Sequence, residues 1–198
     1  FIMLRRNETL LYSEAVARLG SPFFVKPTRE GSSLGVTKVR SEDEYPQALK
    51  ETFSLDRKIL LEQAIIGREI EAAVLGNDSP EVATTLGEII PNHEFYSYNA
   101  KYVDPNGAIL IIPAEIEANV ASRIRDLAVE SFRVVEGLGM ARVDFFLTKD
   151  NQIYINEINT LPGFTSNSMY PKLWEASGLR YSELLHQLVK LGLQRVAV

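Results

Sequence analysis

The chain has 198 residues and a formal net charge of −5 at pH 7, and this length predicts one domain or two small lobes. Hydrophobic residues make up 45% and charged residues 24% of the chain, which excludes a disordered, collagen-like or coiled-coil protein. No apolar run approaches the roughly 20 residues of a membrane helix, and the acidic balance argues against a nucleic-acid-binding protein. Cysteine is absent, which excludes disulfides and thiolate metal sites and mildly favours a cytosolic protein.

Runs rich in β-branched and aromatic residues predict a series of short strands. In chain order these strands are 23–27, 35–40, 58–63, 69–75, 83–89, 109–113, 141–147 and 152–158. The polar loop 28–34 predicts that the first two form an antiparallel hairpin, and the turn 148–151 predicts the same pairing for the last two.

Helical patterns lie between these strands. Residues 13–19 are predicted to end a helix. Ser41 and Glu44 form a capping-box pattern that predicts a helix to about residue 53, with Pro46 removing one backbone hydrogen bond inside it. Because strands and helices do not alternate strictly, the predicted fold class is α+β.

Two further helices are predicted in the second half of the chain. Asn119 is predicted to cap the first, which ends at Gly137 and Gly139. Its predicted apolar face consists of Val120, Ile124, Leu127, Val134, Val135 and Leu138. The final helix is predicted at 181–191, with a core stripe of Leu184, Leu185, Leu188 and Val189.

Acidic residues on the last predicted strand pair suggest a metal site. Arg142, Asp144 and Phe146 share one face of the first strand, since side chains alternate. Ile153, Ile155, Glu157 and Asn159 are predicted to share one face of the second strand. Asp144, Glu157 and Asn159 could then converge, and their oxygen atoms suit Mg²⁺. The alternative is a strand pair with a solvated polar face.

Small and cationic residues suggest phosphate binding elsewhere. The loop GSSLG, which includes Ser32, would let backbone N–H groups approach a phosphate, although an ordinary hairpin loop has the same composition. Lys26 lies in an apolar strand and needs an anion, and Lys101 lies in the long aromatic loop 91–107, where a surface lysine is the alternative. The N–H group of Gly163, after Pro162, is a candidate oxyanion donor.

Five segments follow one another along the chain, namely FVKPTREGSSLGV, LLEQAIIGREIE, YSYNAKY, GMARVDFFL and YINEINTLPGFTSNSMYP. In this order they resemble the motifs of the ATP-grasp proteins. More narrowly, the chain resembles the D-alanine–D-alanine ligase family from about Leu19 to its C-terminus. The resemblance implies an ATP-grasp fold, in which two α+β lobes hold the nucleotide between antiparallel sheets.

The resemblance also implies roles for individual residues. Lys26 and Lys101 would contact the phosphates of ATP, and Ser32 would lie in the loop that closes over them. Glu62, Gln63 and Ile65 would form the hinge between the lobes and meet the adenine, Glu69 would bind the ribose, and Phe146 would also contact the nucleotide. Ser32, Lys101 and Tyr102 would belong to the catalytic residues as well. Asp144, Glu157 and Asn159 would hold two Mg²⁺ ions, or Mn²⁺. Arg142 and the N–H group of Gly163 would stabilise the oxyanion, and Ser168 and Met169 would receive the second D-alanine. Tyr102 matches the dipeptide-forming members rather than those that add D-lactate.

The implied reaction joins two D-alanines through an acyl phosphate for peptidoglycan synthesis in the bacterial cytoplasm. A homodimer is a further family expectation, with neither nucleic acid nor a membrane as partner. The predicted lobes are residues 1–62 and 63–198. The N-terminal lobe of the family, which helps to hold the first D-alanine, is expected to be absent from these residues. The alternatives are another ATP-grasp carboxylate–amine ligase, such as a D-alanine–D-lactate ligase, or a nucleotide-binding fragment that is inactive alone.

Overall fold

A computed structural model describes residues 1–31, 33–91, 108–165 and 167–196. The chain divides into two compact units between Ile65 and Ile66. The first unit takes residues 1–65 together with Pro91 and Ala108, and the second takes Ile66–Ile90 and the chain from Ile109 on. The predicted lobe boundary after Glu62 lies close to this division.

The first unit is an antiparallel sheet with two helices against it. Its strands are β1 (Ile2–Arg5), β2 (Phe23–Pro27), β3 (Thr37–Val39) and β4 (Lys58–Gln63), and its helices are α1 (Tyr12–Leu19) and α2 (Tyr45–Leu55). The strand order is β1-β4-β2-β3, and the pairing of β2 with β3 confirms the predicted hairpin. A single core joins sheet and helices, and it includes Phe23, Val25, Ile59, Leu61 and Ala48.

Two elements of the first unit differ from the sequence prediction. Strand β1 was not predicted, although the alternating burial of Ile2 and Leu4 is the pattern of a half-buried strand. Helix α2 begins at Tyr45, so the predicted capping box is wrong, and the carboxylate of Glu44 instead accepts the backbone N–H of Arg40 at 2.7 Å. Pro46 therefore lies in the first turn, where its missing N–H costs no helical hydrogen bond.

The second unit is a sheet of antiparallel strands of different lengths, with helices on both faces. Its strands are β5 (Arg68–Gly76), β6 (Glu81–Val82), β7 (Gly87–Pro91), β8 (Ala108–Ile111), β9 (Gly139–Leu147) and β10 (Ile153–Asn159). Its helices are α3 (Ala118–Val134), α4 (Met169–Ala176) and α5 (Tyr181–Val196). The strand order is β10-β9-β5-β7-β8, with β6 paired to β5, and β9 and β10 are antiparallel as predicted.

Helix α3 covers one face of this sheet, but its buried stripe differs from the prediction. The helix begins at Ala118, one residue before the predicted cap Asn119, and it ends at Val134. Val134, the last residue of the helix, is 77% exposed, and Val135 and Leu138, which follow the helix, are 50% and 43% exposed. The residues that do pack on the sheet from this helix are Val120, Ile124, Ala128 and Phe132.

Other predicted elements of the second unit also need correction. Only residues 87–89 of the predicted strand 83–89 lie in a strand, because β7 begins at Gly87. Helix α4 begins at the end of the predicted loop 159–170 and was not anticipated. In α5, Leu184 is fully buried, whereas Leu185 and Val189 are exposed by 41% and 64% and do not belong to the core. The predicted long loop 91–107 lies, beyond Pro91, outside the described residues.

Within the described ranges, the structure contains no helix that is long and apolar enough to cross a membrane.

The two apolar residues at the end of α3 provide a test of this core. Phe132 is fully buried and Val134 is 77% exposed, so Phe132→Ala should lower the free energy of unfolding by roughly 3–5 kcal/mol. Val134→Ala should change it by less than about 0.5 kcal/mol. Urea titrations followed by circular dichroism measure both values, and similar losses for the two variants would contradict the placement of the helix.

Candidate functional site

The polar face of the second unit is built across three neighbouring strands. Asp144 on β9 lies directly opposite Glu157 on β10 and opposite Glu71 on β5. Residues directly opposite one another in antiparallel strands point to the same side of the sheet, so the three carboxylates form one row. We call this row, together with Arg142, the carboxylate row.

The residues paired on either side of these three carboxylates point to the same face. Arg142 lies opposite Asn159 on β10 and opposite Ala73 on β5. Phe146 lies opposite Glu69 and Tyr154 in the same way. The structure therefore brings the predicted residues of the second unit's strands onto one face. These residues are Glu69, Arg142, Asp144, Phe146, Glu157 and Asn159.

A β-bulge between Ile155 and Glu157 makes this arrangement possible. Ile153 packs on the apolar core before the bulge, and Ile158 packs on the same core after it. The prediction that Ile153 and Glu157 share a face is therefore wrong, because the extra residue reverses the alternation. Glu157 and Asn159 reach the face of Asp144 as a result.

Arg142 holds the carboxylate row together. Its Nε and Nη2 atoms donate to the two oxygens of Asp144 at 2.8 and 2.7 Å, and Nε lies 3.2 Å from Oε2 of Glu71. The side chain of Arg142 is 17% exposed, while Asp144 and Glu71 are 8% and 3% exposed. Burial opposes the charge of Arg142 most, but Asp144 and Glu71 outweigh it and raise the pKa of the guanidinium above its usual value.

Glu71 is the residue of this face that the sequence analysis missed. It lies two residues after Glu69, so alternation alone places both on one side of the strand. Its neighbours Ile70, Ala72 and Ala73 are fully buried. A carboxylate within such a run is a signal, because a buried charge requires a partner.

The donor set of this face suits a hard cation. Asp144, Glu157 and Asn159 offer two carboxylates and one amide oxygen, which is the oxygen chemistry that Mg²⁺ prefers. In the described part of the chain, no three His, Cys, Asp or Glu side chains cluster closely enough to hold a metal ion by themselves. The amide oxygen of Asn159 also accepts the N–H of Leu161 at 3.1 Å, which fixes the direction of its side chain.

The turn after β10 brings two further predicted residues together. A Cβ on Gly163 would lie 2.8 Å from Oγ of Ser168, so the two positions are in close contact. Oγ of Ser168 accepts the N–H of Thr165 at 2.9 Å. Met169 is only 3% exposed, and its side chain packs above Gly87, so this side chain belongs to the core.

The first unit carries the remaining described candidates. Nζ of Lys26 lies 2.8 Å from Oε2 of Glu62, so a protein carboxylate is paired with Lys26. Gln63 is exposed at the end of β4, and Ile65 is half-buried. The predicted residues Ser32, Lys101 and Tyr102 lie outside the described residues.

Asp56, which follows α2, is a second buried carboxylate that the sequence analysis missed. It is 2% exposed. Its oxygens accept hydrogen bonds from the backbone N–H groups of Thr28, Arg29, Arg57 and Lys58. They also accept from the hydroxyl of Thr28 at 2.9 Å and from Nε and Nη2 of Arg29 at 3.1 and 2.6 Å. The Arg29 side chain contributes most to holding the pKa of Asp56 well below its usual range, against the effect of burial.

Comparison with known proteins identifies the family. The family model described as D-ala D-ala ligase C-terminus matches residues 1–190. The D-alanine–D-alanine ligase A of Salmonella typhimurium is 53% identical over 98% of this chain and 54% of its own length. The D-alanine–D-alanine ligase of Oceanobacillus iheyensis is 52% identical over 96% of this chain and 51% of its own length.

Solved structures give the same result. The D-alanine–D-alanine ligase of Coxiella burnetii is 38% identical, with a TM-score of 0.83 over 98% of this chain and 51% of that chain. The VanG D-Ala:D-Ser ligase of Enterococcus faecalis is 36% identical, with a TM-score of 0.83 over 96% of this chain and 55% of that chain. These neighbours confirm the predicted α+β, ATP-grasp fold.

The chain belongs to the D-Ala-D-Ala ligase C-terminus family, which confirms the predicted resemblance. It spans about half the length of the curated relatives that it matches.

The carboxylate row leads to a stability prediction. Arg142→Met leaves Asp144 and Glu71 buried without their cation, so the free energy of unfolding should fall by roughly 3–5 kcal/mol. Arg123→Met is a matched control on an exposed helical position, and it should change the value by less than about 0.5 kcal/mol. Urea titrations measure both, and equal effects would show that the ion pairs are not needed for folding.

The lowered pKa of Asp56 predicts a pH-dependent stability. Because the folded-state pKa lies below the unfolded value of about 3.9, the ionised carboxylate stabilises the fold above that pH. This contribution is lost as the pH falls toward the folded-state pKa. The difference in Tm between the wild type and Asp56→Asn should therefore be constant from pH 7 to about 5 and shrink at lower pH. A difference that grew on acidification would refute the assignment, and the exposed Asp43→Asn serves as the control.

Proposed function

We propose that this chain forms the ATP-grasp part of a D-alanine–D-alanine ligase. The observation that supports this best is the polar face of the second unit, where Asp144 lies opposite Glu157 and Arg142 lies opposite Asn159. Two carboxylates, an amide and a guanidinium on one face suit a reaction in which negative charge develops on phosphoryl and acyl oxygens. The names of the curated relatives, D-alanine–D-alanine ligases, support D-alanine as the substrate.

In this proposal, the second unit carries the groups that act on the reacting atoms. Asp144, Glu157 and Asn159 hold two Mg²⁺ ions, or Mn²⁺. Bound Mg²⁺ supplies Lewis-acid stabilisation of phosphoryl oxygens. The guanidinium of Arg142 and the N–H group of Gly163 stabilise the acyl oxyanion. Arg142 suits this role because its bonds to Asp144 already fix its orientation.

The remaining roles concern the nucleotide and the second substrate. Lys26 binds phosphate oxygens in place of the carboxylate of Glu62, its partner at 2.8 Å. Ser168 contacts the second D-alanine, and Met169 does so through its backbone because its side chain is buried. Further nucleotide contacts are proposed for Ser32, Glu62, Gln63, Ile65, Glu69, Lys101 and Phe146. Tyr102 is proposed to favour an amine over D-lactate.

The reaction proceeds in two transfers. A carboxylate oxygen of one D-alanine attacks the γ-phosphorus of ATP, and ADP leaves with the electrons of the broken P–O bond. The amine of the second D-alanine then attacks the acyl carbon, loses a proton, and expels phosphate as the C–O bond breaks. Exclusion of water from the acyl phosphate protects it from hydrolysis. A homodimer and a location in the bacterial cytoplasm complete the proposal.

A chimera provides the test. This chain replaces the matching half of the Salmonella typhimurium relative, and phosphate release is measured with ATP and D-alanine, D-serine, D-lactate or L-alanine. We expect release with D-alanine and formation of D-alanyl-D-alanine. A chimera that is folded but needs D-lactate or D-serine would replace the proposal with one of the alternative ligases. Mg-ATP should raise the Tm of the chain alone only slightly.

A single substitution tests the metal assignment. In the chimera, Glu157→Gln should lower turnover by more than about 100-fold, which exceeds the usual loss for residues that only support metal ligands. It should also remove the rise in Tm that Mg-ATP produces, while the Tm without ligand changes little because Glu157 is exposed. The exposed Glu130→Gln is the control. Unchanged turnover in Glu157→Gln would exclude this carboxylate as a ligand.

A further inference from the structure

The loop that joins β2 to β3 begins with Thr28 and Arg29, which are both bound to the side chain of Asp56. Backbone N–H groups of Thr28 and Arg29 both donate to Oδ2 of Asp56 at 3.1 Å, and the hydroxyl of Thr28 donates to the same atom at 2.9 Å. Oδ1 accepts from the guanidinium of Arg29. A buried carboxylate thus fixes two consecutive peptide groups at the point where the chain leaves the sheet.

The other end of the loop contacts the same turn of α2. Gly35 has a φ of +73°, and a Cβ there would collide with the side chain of Leu55 and lie 3.4 Å from Cγ of Pro27. The hydroxyl of Thr52 lies 3.4 Å from the carbonyl oxygen of Gly35. The last turn of α2 and the residue after it therefore hold both ends of the loop.

We propose that Asp56 is a positioning residue for nucleotide binding, which acts through the backbone of Thr28 and Arg29. This inference rests on the proposed function, in which the loop between these ends approaches the phosphates of ATP. A loop whose ends are already fixed loses less conformational freedom when a ligand binds. Asp56 thereby lowers the entropic cost of phosphate binding, in addition to its effect on stability.

A purely structural role predicts a different result from a positioning role. If Asp56 only stabilised the fold, Asp56→Asn would lower the Tm and leave the affinity of the folded protein for ATP unchanged. If it positions the loop, the same substitution weakens ATP binding in protein that remains folded. The amide of asparagine preserves the size of the side chain, but it lacks the charge and one of the two acceptor oxygens.

The kinetic experiment uses the chimera with the wild-type sequence, Asp56→Asn and the exposed control Asp43→Asn. Asp56→Asn should raise the KM for ATP about tenfold, the effect expected from losing charge-assisted hydrogen bonds. The KM for D-alanine should stay within about twofold, since the changed groups lie at the nucleotide loop. Asp43→Asn should match the wild type in both values.

A measurement without ligand tests the loop directly. In the wild-type chain, amide hydrogen exchange of Thr28 and Arg29 should be slow because both N–H groups bind Asp56. Asp56→Asn should accelerate exchange at these two amides more than at Val25, which lies in the adjacent strand. Equal acceleration at all three would indicate general destabilisation and overturn the inference.

The outcomes separate this inference from the proposed function. A wild-type chimera that releases no phosphate with ATP would remove both. A working wild type with an unchanged KM for ATP in Asp56→Asn would remove only the positioning role. If Asp56→Asn fails to fold, Thr28→Val tests the positioning role instead, because it removes only the hydrogen bond from the Thr28 hydroxyl to Oδ2 of Asp56. Thr28→Val should raise the KM for ATP by about two- to fivefold, and no change would overturn the inference.

Discussion

One largely buried cation between two buried carboxylates is the constraint on which the second unit depends. Arg142 compensates Asp144 and Glu71 at once, and each of the three would be costly in the sheet without the others. Well-packed apolar residues could fill this space at no loss of stability. The cost of placing charges there is understandable if the same groups have a chemical task, because a fixed guanidinium needs no reorganisation during a reaction.

The first unit follows the same principle with different residues. Lys26 and Glu62 form an ion pair across neighbouring strands, and Asp56 gathers donors from two segments of the chain. In each case the charged group already has a protein partner before any ligand is considered. A ligand that displaces Glu62 from Lys26 must therefore carry more negative charge than a carboxylate, and a polyphosphate satisfies this requirement.

The sequence was sufficient for parts of the fold and the site that depend on local patterns. Alternation placed Asp144 on one face of β9, and the short turn paired that strand with β10. Glu71 and Asp56 were missed because their roles arise from contacts with distant residues, such as Thr28, which lies 28 positions from Asp56. The apolar residues Val135 and Leu138 were misplaced because periodicity does not show where a helix ends.

The bulge in β10 has a consequence for how this strand can change. Before the bulge β10 pairs with β9 in one register, and after it the register is shifted by one residue, so that Glu157 lies opposite Asp144. Deletion of Asn156 would remove the extra residue and leave Glu157 opposite Asp144, because regular alternation from Ile155 also puts Glu157 on the polar face. Deletion of Ile158, which lies after the bulge, would instead turn Asn159 from the polar face toward the apolar core. The strand can therefore lose a residue at the bulge but not after it.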